Sequence, residues 1–211
     1  MNWNALMPLF ILASSLLPGL VIFFLPEDKV RTRIALNMSG ALLKVVLVGI
    51  VLWGVYNGYR YETRLPFLPG LDLVLRAGAV SILFVTLSTG LWLVTTVYAI
   101  GYLENSPHRS RFFGFFSLCV TATVGVALAG NLITFVLFYE LLTLATYPLI
   151  VHRGTEESRQ AGRTYLTYTI IGGGLLLIGT VWLYTLSGTL EFTHRGFVSG
   201  LEGIPDSAVS Y

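Results

Sequence analysis

This 211-residue sequence predicts an all-α integral membrane protein of six transmembrane helices. Three observations carry that reading. The chain is 55% hydrophobic and only 11% charged, with a mean hydropathy of +0.75, a composition of polytopic membrane proteins rather than soluble domains. Six apolar runs are each long enough to cross a bilayer, which takes about 20 residues as a helix. The charges collect between these runs instead of being spread over helix faces.

The first run, residues 5–25, resembles a signal peptide in its apolarity. A signal peptide carries its positive charge ahead of the apolar run, yet the first basic residue here is Lys29, behind it. That flank predicts a retained helix with its N-terminus outside. The second span is expected at 34–56, the third at 77–102, the fourth at 112–129, the fifth at 131–151 and the sixth at 164–186. The connection between the fourth and the fifth is only Gly130-Asn131, the latter opening the fifth span, so these two spans form a tight helical hairpin. Pro26, Pro66, Pro69, Pro107 and Pro205 fall between or beyond the spans, where helix breakers belong. The transmembrane region covers 1–192, and 193–211 form a polar C-terminal tail.

Loop charges set the orientation. Lys29, Arg31, Arg33, Arg109, Arg111, Arg153, Arg159 and Arg163 lie on one side; Arg60, Arg64, Arg76 and Arg195 lie on the other. Eight against four places the first group in the cytoplasm and both termini outside. Trp53, Tyr56, Tyr98, Tyr102 and Trp182 at span edges suit an interfacial aromatic belt. A net charge of +2, with no basic stretch interleaved with aromatics, argues against nucleic acid. Cys119 is the only cysteine, which excludes an intrachain disulfide and cysteine-based metal clusters. His108, His152 and His194 are far apart and show no metal-ligand spacing. No nucleophile–base–orienter set, phosphate loop or other soluble-type catalytic motif occurs, and no cofactor is called for.

The fifth span carries Glu140 about ten residues from either end, near the bilayer midplane. An ionised acid there costs about 2.5–3.5 kcal/mol on insertion scales, so the group must be paired, hydrated or protonated. Two readings follow: a protonated carboxyl fastening a neighbouring helix, or a proton relay. Thr143 and Tyr147 fall one and two turns away on the same face, a polar stripe of the sort a hydrated path needs. Acids at this depth are functional by default, and Glu140 is the expected proton-translocating residue. Lys44 is a second candidate. It lies near mid-depth if its helix starts at Ile34; if the helix starts near Gly40, its stem can snorkel to the cytoplasmic face. Ser117, Thr121, Thr123, Thr164, Thr167, Tyr168 and Thr169, with Gly172, Gly173, Gly174 and Gly179, read chiefly as helix-packing residues. His152 ends the fifth helix, where a cation suits the helix dipole; it is also placed to gate proton uptake near neutral pH.

The segments Tyr98-Ala-Ile-Gly-Tyr-Leu-Glu104, Arg109-Ser-Arg-Phe-Phe-Gly-Phe-Phe-Ser117, Leu128-Ala-Gly-Asn131 and Phe138-Tyr-Glu-Leu-Leu-Thr143 resemble the antiporter-like family. This family comprises the D-type subunits of Mrp monovalent cation/proton antiporters and the proton-pumping membrane subunits of complex I, NADH:quinone oxidoreductase. Thr146-Tyr-Pro-Leu149 and His152-Arg-Gly-Thr155 bring the wording nearest the Mrp D-type branch. The resemblance implies that Glu140 matches the fifth-helix glutamate of the proton path. In the family that acid works with a lysine on a broken seventh helix, which this sequence lacks. Members are about twice this length, so the resemblance implies an incomplete antiporter-like bundle, truncated or split before that helix. It further implies a subunit of a multisubunit complex in the bacterial cytoplasmic (inner) membrane. Its partners would be other subunits and lipid, and its cargo protons and Na+, with Lys44, Thr143, Tyr147 and His152 as pathway neighbours. Two other classes compete: a structural assembly subunit with a vestigial acid, and an accessory membrane subunit of an NADH dehydrogenase- or hydrogenase-type redox complex. In either case the chain has no catalytic site of its own.

Overall fold

The computed structural model describes residues 3–68, 70–103 and 107–192. Glu104, His194, Arg195 and the expected tail at 193–211 lie outside them. Among the described residues six helices are long and apolar enough to cross a membrane. They are α1 (Trp3–Phe23), α2 (Val30–Tyr56), α3 (Ala79–Tyr102), α4 (Arg109–Ala127), α5 (Leu132–Ile150) and α6 (Glu156–Ser187). The protein is thus a multi-pass, mostly helical membrane protein.

One element among the described residues is not helical. Tyr61–Leu68 (β1) and Leu71–Ala77 (β2) pair antiparallel, from Tyr61 opposite Ala77 to Leu65 opposite Leu73, with an irregularity between Pro66 and Leu68. The expected six-helix membrane fold stands, and this hairpin is an addition to it. The alternating Tyr61 and Thr63 are buried and turn one face inward, and Gly70 takes the positive φ of +82° that the tip requires. The turn between α4 and α5 holds β2 in place. Arg76 N donates to Leu128 O at 2.6 Å and Gly130 N to Val74 O at 2.7 Å. A Cβ on Gly130 would come within 2.6 Å of Val74 Cγ1, so only glycine allows this approach. Residues after α6 close the layer, with Leu132 N donating to Leu190 O and Phe192 N to Gly130 O. Glu62, Arg64, Arg76 and Glu191 then knit the surface through ion pairs of 2.6–3.3 Å.

The core lies under this hairpin, where Ile11, Leu12, Val48, Val51, Tyr61, Leu75, Val85, Val124 and Leu128 meet. α1 packs on α2 and α4, α3 bridges α2 and α4, α4 packs on α5, and α5 on α6. α6 is the least covered, with Tyr168, Ile170, Ile171, Leu175, Ile178 and Val181 all exposed, as suits a face in contact with lipid or another apolar surface. At 32 residues it is about 48 Å long, more than the about 30 Å hydrocarbon core. The helix starts ahead of the apolar span because Thr155 caps it, its side chain accepting from Ser158 N. Charged and polar turns from Glu156 to Arg163 therefore stand beyond the apolar stretch.

Candidate functional site

Glu140 sits at the middle of α5, whose N-terminus is held by Asn131 accepting from Thr134 N at 2.9 Å. The same Asn131 donates to Asp72 O at 2.7 Å, and Thr134 Oγ1 accepts from Val74 N at 2.8 Å. The hairpin thereby fixes the depth and phase of the helix bearing the acid. Glu140 points to α6, where a Cβ on Gly173 would overlap its Oε1. That oxygen is buried and has no hydrogen-bond partner among the described residues.

The rest of the α5–α6 interface continues toward the basic end. Thr143 Oγ1 donates to Glu140 O at 2.9 Å, and Thr143 O accepts from Tyr165 Oη at 3.3 Å. The Tyr147 ring lies against Gly162, 2.9 Å from where a Cβ would stand. Glu140, Thr143 and Tyr147 thus share one helix interface. His152 lies beyond it, in edge contact with the Phe112 ring at 5.3 Å. Burial, then the nearby Arg111 and His108, lower its proton affinity below the ordinary histidine value, with Glu27 opposing weakly.

Lys44 belongs elsewhere. It is fully buried at the centre of the 27-residue α2, with 0% exposure, which removes the snorkelling alternative. Its ammonium donates to Ser15 Oγ of α1 at 2.6 Å and lies 4.9 Å from the Trp92 ring centroid on α3. α1 and α4 stand between α2 and α5 in the packing order, and Lys44 makes no ion pair with Glu140. Two members of the α5–α6 interface escape sequence reasoning. Tyr165 carries no charge or spacing signal, and Gly173 is one of three consecutive glycines until the helix phase singles it out. Gly172 and Gly174 face open space.

Known proteins resemble the chain along most of its length. The profile of a family described as "NADH:quinone oxidoreductase/Mrp antiporter, TM" matches residues 129–199. The D-type Na(+)/H(+) antiporter subunit of Bacillus subtilis is 25% identical over 192 residues, covering 90% of this chain and 38% of that protein. NAD(P)H-quinone oxidoreductase chain 5 of Synechocystis is 28% identical over 202 residues, 90% of this chain and 29% of that one. Among solved structures, the Mrp complex from Dietzia superposes with a TM-score of 0.76 over 90% of this chain and 36% of the matched chain. At 19% identity that likeness speaks for the fold alone. The chain spans less than two fifths of these relatives, a smaller share than the half that the resemblance led us to expect.

Proposed function

The chain belongs to the antiporter-like family of NADH:quinone oxidoreductase and Mrp membrane subunits, and on that premise we propose that it is a membrane subunit of a multisubunit monovalent cation (Na+)/proton antiporter or of a related complex I-like proton-translocating complex. Its setting in this reading is the bacterial cytoplasmic membrane, with the basic loops inside and both termini outside. Glu140 carries the proton.

One observation supports this above the others. Glu140 combines mid-helix depth with a buried Oε1 that has no partner among the described residues, on an interface that also brings Gly173, Thr143 and Tyr165 together. A carboxyl without a fixed counter-ion gains or loses its proton according to the charges that approach it. Such a group is suited to coupling, because a cation arriving nearby favours the carboxylate and a departing one favours the acid. Thr143, Tyr147 and Tyr165 place hydroxyls between Glu140 and the basic end. His152 marks that end, where its lowered proton affinity suits release rather than storage of a proton. The kinship with quinone oxidoreductase subunits retains the same role for Glu140 while changing what drives it.

The test is cation-driven dequenching of a pH-sensitive dye in inverted vesicles containing the assembled complex. Glu140→Gln keeps the shape and removes the titrating proton; it is expected to lower the rate by at least about tenfold, the scale of a general acid–base group. Wild-type transport by that variant would overturn the reading and favour the assembly role.

A further inference from the structure

A second polar system runs inside the α1–α4 bundle, and it contains the buried Lys44. At its outer end, Arg33 is 2% exposed and donates to Ser110 Oγ at 2.5 Å and to Glu27 O at 3.1 Å. The Glu27 carboxylate caps α4, accepting from Arg109 N at 3.1 Å and Ser110 N at 3.0 Å. At its inner end, Lys44 Nζ donates to Ser15 Oγ, which is 2.8 Å from Thr121 Oγ1, and Thr121 donates to Ser117 O at 2.9 Å. Arg33 to Lys44 on α2 and Ser110 to Thr121 on α4 are both eleven residues. The two levels are therefore joined by helices in step, about 16 Å apart.

Between those levels buried polar groups stand among the apolar clusters around Phe113 and Val120. Asn37 Nδ2 on α2, Thr96 Oγ1 on α3 and Ser117 Oγ on α4 are buried without a hydrogen-bond partner, as are Trp92 Nε1 and Thr89 Oγ1 around and beyond Lys44. Exposure of Asn37, Thr96 and Ser117 is at most 1%. Each buried polar group left unsatisfied costs about 1–3 kcal/mol. Several such groups on three neighbouring helices offer the kind of partners an internal water takes, two to four polar groups each. A buried ammonium raises the demand further. α1 carries no ionisable residue, and α3 offers only the exposed Tyr98 and Tyr102. α4 offers Arg109 and Arg111 at its far end, and Cys119, which turns toward Thr146 of α5. On α2 itself stand Arg31 and Arg33, preceded by Glu27, Asp28 and Lys29 in the loop. Among the described residues no carboxylate pairs with Lys44.

We propose that this file, from Arg33 and Glu27 through Asn37 and Thr96 to Lys44, binds a chain of water molecules and makes Lys44 a second proton-loading site, separate from Glu140. On loading, water gives up a proton to the Lys44 amine, an O–H bond breaking as an N–H bond forms; the proton deficit passes along the file to the Glu27 end, where bulk water restores it. Unloading reverses these transfers. The Ser15–Thr121 hydroxyls follow the charge. An ammonium can only donate, so it turns Ser15 O–H toward Thr121 and the chain ends on Ser117 O; a neutral amine accepts and frees Ser15 to turn back.

Lys29 and Lys44 are the only lysines in the sequence, so a chain labelled with 15N at lysine Nζ gives two side-chain resonances in lipid bilayers, and Lys44→Met identifies one of them. Water-edited magic-angle-spinning NMR is expected to show magnetisation passing from water to Lys44 Nζ, and its shift moving between ammonium and amine values as the bath pH is varied. Asn37→Leu and Thr96→Val are each expected to cut the water transfer to Lys44 by about tenfold or more, as for a site reached only through rarer opening, leaving Lys29 unchanged. Thr96→Val is nearly isosteric and serves where Asn37→Leu disturbs folding. Glu140→Gln is expected to leave the Lys44 signals as they are, so failure of the Glu140 reading and failure of this one are read separately. A Lys44 resonance that receives nothing from water, holds one protonation state wherever Lys29 titrates, or ignores both variants would overturn the proposal.

Discussion

Gly173 decides how the Glu140 carboxyl is held. A methyl group there occupies the position of Oε1, whereas methyls on Gly172 or Gly174 meet open space. Gly173→Ala is therefore expected to displace the carboxyl and lower dye-monitored transport about tenfold or more, since small misplacements of a reacting group are costly; Gly172→Ala and Gly174→Ala should match wild type. His152 makes a pH prediction. Burial and the neighbouring Arg111 and His108 hold its folded-state proton affinity below the ordinary histidine value. The unfolded chain then takes the proton first as pH falls, so folded-state stability is intact above about 6.5 and declines below it, until the folded histidine is also protonated. Thermal melts in detergent across that acid range should show a shallower decline for His152→Gln. At this scale the sequence was partly legible. An acid amid apolar residues announces itself, and so did the alternatives for Lys44. Its depth was not readable, because it depends on α2 starting at Val30 rather than near Gly40, and a run bearing Lys29, Arg31 and Arg33 does not look like membrane helix.

Individual elements owe their positions to a few capping groups. Asn131 both caps α5 and donates to Asp72 O, while Thr134 accepts from Val74 N. Thr134→Val conserves shape but leaves the buried Val74 N–H unpaired, a cost of about 1–3 kcal/mol. Its melting temperature should fall clearly, whereas Thr167→Val on the exposed face of α6 should change little. The six helices were evident from run length and hydropathy. The hairpin was not. Its alternation of inward and outward residues is short, and Pro66 and Pro69 read as loop. Beyond its own ladder, what holds it in place comes from residues near 130 and 190, which no window over 61–77 contains.

At the scale of the whole molecule, the packing order from α2 through α1, α4 and α5 to α6 separates Lys44 from Glu140. Pairwise helix contacts of this kind leave no trace in hydropathy, so the sequence permitted a Lys44–Glu140 pair that the fold does not build. Orientation remains a proposal with a direct check. With C119S as background, a cysteine at Gly154 should be shielded from a membrane-impermeant thiol reagent in intact cells, and one at Gly70 should be labelled. Labelling in the opposite sense would invert the topology.

The chain leaving α6 is stitched by main-chain hydrogen bonds at 190 and 192 to the turn ahead of α5, whereas Thr155 at the opposite tip bonds within its own first turn. Along its length the helix meets its neighbour in one narrow seam, with Gly173 nearest the acid. A rod moored at a single extremity swings about that mooring more readily than it slides. Should the charge at Glu140 change as proposed, α6 is expected to answer by swinging, and whatever lies against its bare flank would feel the movement.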